Sequence, residues 1–590
     1  MPIFFHDDFD GFPKSLTLLK EPYKVSTYIA KKFVWKDIFY KGNYCSLEST
    51  MNGFPQKLVS DRTFIESFHA DYSHFCNFEV EINGMRLHDF FEFVKEEQSK
   101  TKEGFEKHVV TLSYPMKNVL LRVITILDGS SFLTRYLEIE NTGKEPFFIT
   151  GLYPMSGILY NECYSNSIRS EATRPNYYLG TFKDNYYLGE GEFEWIKLPK
   201  ATIKLSHEHP MFNPPFYVLK DDYRCAYTII SLETSMMTSV EFTKCGEYFW
   251  GRNINNQDYL HFKCGVDKKA TYRMVKPNET VESMRVHIGS VIGDLDDIVN
   301  EYYEHLRLSI IRNRPTWLTN PVSYTCSPHD CCQTDKEYML KEIDKALELG
   351  AEIFLMDAGW FGSKDKWWYQ VRGDYYENEL LDNSMAQIFD IARSKGLKIG
   401  LWVEIEGINL ESELYKKHPE WVIKAYNNDL PTLNLMLPEV REYLYNELTR
   451  IIEKYNIDVF RIDGGLKEPS EMICNNEIIE TSWEYYEHLF NIFEKVREKH
   501  SNVYFENCSG GAGRSDLAIM KRFDWMSLTD LFEVVSSLRV AYGLSLAFLP
   551  EQMHTSTTLT NISKGNELFA TRIAMFGHFT IHGVIDRMNE

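Results

Sequence analysis

The sequence predicts a multidomain β plus α/β protein in which an N-terminal β-sandwich is followed by a (β/α)8 barrel of the TIM type. The first observation is length, because 590 residues exceed what one hydrophobic core normally supports. The second is a series of short β-branched and aromatic stretches in the first half of the chain. The third is an alternation of apolar runs with charged helical patterns from Pro321 onward.

Residues 1–290 form the predicted β-sandwich domain. Stretches such as 109–114 and 119–126 are rich in valine, leucine and isoleucine, and turn signals such as Asp128-Gly129 separate them. Many short strands joined by such turns are typical of a large antiparallel sandwich.

Residues 291–314 form a predicted helical linker. Ile298, Tyr302 and Leu306 are spaced four residues apart, which places them on one face of a helix. We therefore expect a helix to connect the two domains.

Residues 315–590 form the predicted barrel. Barrel enzymes carry their active residues where the strands end, so the residues after each apolar run are the candidates for function. The chain ends soon after His582, where the eighth strand is expected, and this predicts a short or truncated C-terminal end. The apolar runs are Pro321–Thr325, Ile353–Met356, Ile399–Val403, Val459–Ile462, Val503–Phe505 and, more weakly, Met526–Thr529.

Composition and charge exclude several classes of function. The formal net charge of −21 would repel the phosphate backbone of a nucleic acid. The first residues lack the basic and apolar regions of a signal peptide, and no apolar run reaches the roughly 18 residues of a membrane span. The sequence therefore predicts a cytoplasmic protein with neither a nucleic-acid nor a membrane partner, and a homo-oligomer is left open.

The cysteines do not indicate a disulfide framework or a metal site. Eleven cysteines is an odd count and an ordinary density for this length. Cys326, His329, Cys331 and Cys332 lie close together, but no second ligand pair at metal-binding spacing accompanies them, so we interpret them as loop thiols. We expect neither a metal nor a cofactor.

Polar and aromatic side chains collect where the predicted barrel strands end. An aspartate after a strand is most often the N-cap of the next helix, but capping alone does not explain a carboxylate or thiol at five strand ends. The residues in question are Asp357 and Trp360 after the second run, Trp402, Glu404 and Glu406 in the third, Arg461 and Asp463 in the fourth, Glu506, Cys508 and Gly511 after the fifth, and Asp530 after the sixth.

Converging carboxylates with tryptophans, and without a phosphate-binding loop, suit the cleavage of glycosidic bonds. One carboxylate attacks the anomeric carbon or activates water, while another protonates the leaving oxygen. Asp463 lies two residues after Arg461 on the same strand face, and a nearby cation keeps a carboxylate ionised. Asp463 is therefore the better candidate for the nucleophile. Asp530 has apolar neighbours in sequence, and a carboxyl group in such surroundings keeps its proton longer, which suits the role of proton donor. Asp524 is a rival for this second role.

Four segments resemble glycoside hydrolase family 36, the family of α-galactosidases and α-N-acetylgalactosaminidases. GLWVEIE at 400–406 and SELYKKHPEW at 412–421 look like the family's GLWFEPE and SELYRKHPDW. CSGGAGR at 508–514 and LRVAYG at 538–543 are similar to its CSGGGGR loop and LRIQYG helix. The resemblance covers the chain from about 315 to the end, and the β-rich N-terminal part matches the family in kind.

The resemblance implies a retaining exo-hydrolase that removes terminal α-linked galactose-type sugars from an oligosaccharide or glycoconjugate. It implies that Asp463 is the nucleophile and Asp530 the acid/base. The residues expected to contact the sugar are Asp357, Trp360, Trp402, Glu404, Arg461, Cys508 and Gly511.

The departures from the family lie in the sugar pocket. DAGWF at 357–361 replaces DDGWF, RIDGG at 461–465 replaces KWDMN, and Ser327 stands where the family has a tryptophan. Most of these changes remove bulk or a hydrogen-bonding group, so a bulkier residue such as N-acetylgalactosamine is an alternative substrate. Transglycosylation and a non-catalytic sugar-binding barrel remain as further alternatives.

Overall fold

The computed structural model divides the chain into two compact units. One contains Met1–Phe182, Glu194–Glu208 and Pro215–Ser309, and the other contains Lys183–Phe193, His209–Pro214 and Ile310–Glu590. The residues that the structure describes are 23–51, 76–163, 176–183, 189–199, 201–207, 213–222, 225–245, 257–268, 272–311, 315, 320–327, 335–363, 365–425, 431–464, 472–474, 477–479, 482–531, 533–558 and 567–582.

The first unit is built from antiparallel sheets. A three-stranded sheet has the order β1-β2-β3, a seven-stranded sheet contains β13-β16-β17-β10-β4-β5 with β18 paired to β10, and a ten-stranded sheet contains β12-β11-β14-β15-β20-β9-β8-β7-β6 with β19 paired to β9. These strands are β1 (Tyr23–Ile29), β2 (Phe33–Tyr40), β3 (Asn43–Met51), β4 (Glu79–Ile82), β5 (Met85–Arg86), β6 (Glu92–Lys100), β7 (Glu106–Tyr114), β8 (Val119–Leu127), β9 (Phe132–Asn141), β10 (Phe147–Cys163), β11 (Tyr177–Phe182), β12 (Phe193–Lys197), β13 (Thr202–His207), β14 (Phe216–Asp221), β15 (Ala226–Glu233), β16 (Thr238–Cys245), β17 (Gln257–Val266), β18 (Arg273–Val275), β19 (Thr280–Glu282) and β20 (Arg285–Ile292).

Long-range packing joins these sheets into the predicted sandwich-type arrangement. Strand β10 contacts β3, β9 and β20, which belong to the other two sheets. The stretches 109–114 and 119–126 lie in β7 and β8, which pair along their whole lengths. Helix α1 (Leu295–Ser309) packs on β9, β15 and β20.

The second unit contains a closed barrel of parallel strands, which confirms the predicted fold class. Its order is β21-β22-β23-β26-β29-β30-β31-β32. The strands are β21 (Ser323–Cys326), β22 (Ile353–Met356), β23 (Lys398–Glu404), β26 (Val459–Asp463), β29 (Tyr504–Asn507), β30 (Trp525–Ser527), β31 (Met553–Thr558) and β32 (His578–His582). A further four-stranded sheet has the order β25-β24-β27-β28, from β24 (Val422–Ala425), β25 (Thr432–Leu433), β27 (Met472–Cys474) and β28 (Glu477–Ile479).

The helices of the second unit follow its strands along the chain. They are α2 (Lys336–Glu348), α3 (Met385–Ser394), α4 (Glu413–Lys417), α5 (Pro438–Tyr455), α6 (Ser482–Lys499), α7 (Ser509–Ala512), α8 (Leu517–Met520), α9 (Val534–Leu544) and α10 (Glu567–Ala574). No helix among the described residues is long and apolar enough to cross a membrane.

Candidate active site

The carboxyl ends of five neighbouring strands share one face of the barrel, because β22, β23, β26, β29 and β30 run parallel in that order. Glu404 on β23 is in register with Asp463 on β26. Asn507 on β29 is in register with Ile462 on β26 and with Met526 on β30. The predicted site residues therefore follow strands that end together.

Asp463 is held by three N–H donors. The indole Nε1 of Trp402 donates to Oδ2 over 2.9 Å. The backbone N–H groups of Gly464 and Gly510 each donate to Oδ1 over 2.7 Å. Because all three partners are N–H donors, they fix the orientation of both carboxylate oxygens.

Trp402 is in turn held by aromatic neighbours. Its ring lies parallel to that of Phe361, with 6.3 Å between the centroids, and meets Trp368 edge to face at 5.3 Å. The indole Nε1 of Trp360 donates to the backbone oxygen of Trp402 over 2.7 Å. Trp360 is fully buried, so its indole holds the backbone of Trp402 at a fixed place.

Arg461 joins two carboxylates inside the barrel. Its Nη1 lies 2.8 Å from Oδ2 of Asp357, and its Nη2 lies 3.0 Å from Oε1 of Glu506. His554 Nδ1 lies 2.5 Å from the same Glu506 oxygen. Burial alone would raise the pKa of Glu506, but Arg461 and His554 lower it to about 2. Asp357 and Glu506 thus share one guanidinium.

The loop that begins at Cys508 lies against both predicted catalytic residues. Gly510 donates to Asp463, and an ideal Cβ on Gly511 would lie 2.5 Å from the backbone nitrogen of Asp530. Gly511 has a φ of 72°, so the conformation and the close approach both require glycine. Burial and the charges of Asp463 and Asp530 raise the pKa of the Cys508 thiol well above its usual value. Cys508 is therefore a neutral thiol that the charges of both aspartates reach.

Glu404 points toward the same region but is deeply buried. Arg372 Nε lies 2.9 Å from its Oε2. Burial raises the pKa of Glu404 to about 8, because the cost of removing its charge from water exceeds the attraction of Arg372, and the charge of Asp463 adds to the rise. An ideal Cβ on Gly464 would lie 2.6 Å from the Glu404 side chain, so Glu404 leaves no room for a larger residue at position 464.

Asp524, the rival acid/base, lies elsewhere. It precedes β30, whereas Asp530 follows that strand. Its carboxylate accepts from both Nη atoms of Arg497, at 2.8 and 3.1 Å, and from the backbone N–H of Phe505 at 2.8 Å. Asp524 therefore has a structural role at the opposite end of the strand.

Ser327 and the cysteine cluster that begins at Cys326 both come at the end of the first apolar run of the barrel. The Ser327 hydroxyl lies 2.8 Å from His582 Nε2, at the point where β21 and β32 end. Cys326 is buried in β21, whereas the other members of its cluster, His329, Cys331 and Cys332, lie outside the described residues, as does Gly465. Within the described ranges, no group of three or more potential ligands is arranged to hold a metal ion.

Sequence reasoning missed the ion pair between Arg514 and Glu406. Arg514 contacts Glu406 through both ends of its guanidinium, at 2.5 and 2.7 Å, and Tyr485 donates to the same carboxylate over 2.7 Å. The available signal was strand alternation, since Glu406 is two residues after Glu404. Its partner is 108 positions away in the chain, and no local pattern indicates such a pairing.

The family model described as Melibiase matches residues 284–589. Among curated proteins, the chain is 26% identical over 325 residues to an alpha-galactosidase of Escherichia coli, covering 52% of this chain and 44% of that one. It is 24% identical over 346 residues to alpha-galactosidase Mel36A of Lactobacillus acidophilus, covering 56% and 47%. The matches thus span less than half the length of these two relatives.

Solved structures share the fold. The galactosidase domain of the alpha-galactosidase-sucrose kinase AgaSK superposes with a TM-score of 0.80 at 16% identity, covering 96% of this chain and 83% of that one. A complex of alpha-galactosidase AgaA from Geobacillus stearothermophilus with raffinose gives 0.79 at 17% identity, covering 96% and 84%.

Proposed function

The chain belongs to the melibiase family, and from that premise we propose that it is a retaining exo-glycoside hydrolase that releases terminal α-linked galactose-type residues. The proposed substrate is an oligosaccharide or glycoconjugate, the class that includes the raffinose bound by the AgaA relative. One observation carries the proposal. One glycine-rich loop contacts both a carboxylate held by three N–H donors and the backbone of a second aspartate.

In the proposed reaction, Asp463 attacks the anomeric carbon and forms a glycosyl ester, while Asp530 protonates the leaving oxygen. Asp530 then removes a proton from water, which attacks the anomeric carbon and releases the sugar. The fixed orientation of Asp463 suits a nucleophile, because its attacking oxygen needs no reorientation. Two carboxyl groups about 5 to 5.5 Å apart are expected for such a retaining site, against roughly 6.5 to 9.5 Å for an inverting one.

The proposed sugar contacts are drawn from the same geometry. Asp357, oriented by Arg461, is proposed to accept hydrogen bonds from sugar hydroxyls. Trp402 is proposed to provide an apolar wall, and Cys508 and Gly511 are proposed to line the sugar pocket. Trp360 and Glu404 are proposed to hold these residues in place, since Trp360 donates to the backbone oxygen of Trp402 and Glu404 pairs with Arg372.

A second candidate function is hydrolysis of α-N-acetylgalactosaminides. Ala358 is small where the resembling family has an aspartate, and its backbone N–H donates to Asp357. Nitrophenyl α-galactoside and nitrophenyl α-N-acetylgalactosaminide, assayed side by side, separate the two. A higher kcat/KM for the acetamido sugar would favour the second function.

Azide rescue tests the two catalytic roles. Asp463→Gly should be inactive on an activated aryl glycoside until azide fills the gap, and one inversion should then give the β-glycosyl azide. Asp530→Ala should still form the intermediate, since a good leaving group needs no acid, and azide should then give the α-azide by two inversions. The exposed Asp390→Asn serves as a control that keeps activity. Swapped products would reverse the roles, and full activity in either variant would remove that residue from the mechanism.

A further inference from the structure

Residues 189–192 lie between β11 and β12 in sequence but belong to the second unit, whereas most of these two strands belongs to the first. They contain Glu190, whose side chain is fully buried. A buried carboxylate is costly unless it has partners, so its contacts indicate what it does.

Glu190 contacts the residue next to Asp530. The hydroxyl of Thr529 donates to Oε2 of Glu190 over 2.9 Å. The same hydroxyl oxygen accepts from the backbone N–H of Leu531 over 3.0 Å. Thr529 thus connects the buried carboxylate to both sides of the turn that carries Asp530, while Gly511 packs against the backbone of that turn.

The segment around Glu190 is fixed by close backbone packing on α9. An ideal Cβ on Gly191, which has a φ of 70°, would lie 2.9 Å from the Cα of Val540. An ideal Cβ on Gly543 would lie 1.9 Å from the backbone oxygen of Gly191. Such an approach is open only to glycine on both sides, so the position of Glu190 relative to α9 is set by the backbone rather than by flexible side chains.

We propose that Glu190 is a positioning residue for Asp530, acting through the Thr529 hydroxyl. Its buried carboxylate anchors the turn from 529 to 531, so that the Asp530 side chain faces the leaving oxygen. This rests on the proposed function, because it assumes that Asp530 is the acid/base. Loss of the anchor should weaken proton donation while leaving the nucleophile, the sugar pocket and the fold in place.

Leaving-group dependence separates this role from a purely structural one. The kcat/KM value reports the first, glycosyl-transferring step, which needs an acid only when the leaving group is poor. We compare a dinitrophenyl α-galactoside, which departs unaided, with an unactivated α-galactosyl oligosaccharide. In Glu190→Ala, kcat/KM for the oligosaccharide should fall about tenfold or more, and that for the dinitrophenyl glycoside should change by less than about twofold.

Two further variants sharpen the test. Glu190→Gln keeps an acceptor for the Thr529 hydroxyl, so it should restore most of the loss. Glu192→Gln on the same segment removes a half-exposed carboxylate that pairs with Lys183 and lies 3.7 Å from Arg539, and it should behave as the native chain. If Glu190→Ala fails to fold, Thr529→Val carries the same test, with Thr529→Ser as its rescue.

Equal losses on both substrates, or no loss on either, would overturn the positioning role. So would a Glu190→Gln variant as impaired on the oligosaccharide as Glu190→Ala. A native chain inactive on both substrates would instead overturn the proposed function, and the two failures are therefore distinguishable.

Discussion

Breaking the ion pair between Arg514 and Glu406 should strongly destabilise the barrel. Arg514→Met removes the cation but leaves Glu406 buried, with Tyr485 as its remaining donor. Burial acts to lower the pKa of Arg514, yet the nearby Glu406 carboxylate holds that pKa well above its usual value. Removing one partner of such a buried pair typically costs about 3 to 5 kcal/mol. Total stabilities are only about 5 to 15 kcal/mol, so the loss should be large.

Denaturant unfolding followed by tryptophan fluorescence measures this effect. The double variant Glu406→Gln/Arg514→Met removes both charges and should recover part of the loss, because no uncompensated charge remains. Lys416→Met, which breaks an exposed pair with Glu413 on α4, should leave stability unchanged. A loss below about 1 kcal/mol in Arg514→Met would refute the reasoning. So would a double variant no more stable than the single one.

Three other measurements bear on the site. Between pH 4.5 and about 8 the folded chain holds a proton on Glu404 that the unfolded chain has lost, so stability falls as pH rises there. The side chain in Glu404→Gln stays neutral, so the free energy of unfolding of this variant should rise relative to that of the native chain across that pH range. If the difference between the two free energies does not change with pH, Glu404 is instead ionised in its pair with Arg372. Gly511→Ala should lower turnover at least about tenfold by displacing Asp530, whereas Gly350→Ala, with similar φ but no neighbour within 4 Å, should not. Chelators should leave activity intact, and loss of turnover in EDTA that a divalent ion restores would contradict this.

The barrel was predictable because its strands are short, apolar and locally encoded. The run Ile353–Met356 coincides with β22, and the runs at 399 and 459 differ from β23 and β26 by one residue at each affected end. The family resemblance is confirmed by the family match to residues 284–589. The last run, Met526–Thr529, was placed too late, since β30 ends at Ser527 and Asp530 lies on the turn beyond it.

What the sequence does not encode locally is the partner of each buried charge. Glu190 and Thr529 are 339 positions apart, and Arg461 and Asp357 are 104 apart. Their pairing depends on how the strands and loops pack, and hydrophobic periodicity carries no information about it. The order of strands in the antiparallel sheets depends on the same long-range packing.

The shared guanidinium in the barrel interior restricts how position 461 can vary. Arg461 neutralises Asp357 and Glu506 together, while burial lowers the pKa of the nearby His578 to about 3 and leaves that ring uncharged. A neutral residue at 461 would remove this cation from Asp357 and leave Glu506 with its contact to His554, and removing one partner of a buried ion pair is strongly destabilising. We therefore expect substitutions at 461 that keep the fold to retain a cation, unless positions 357 and 506 change with it.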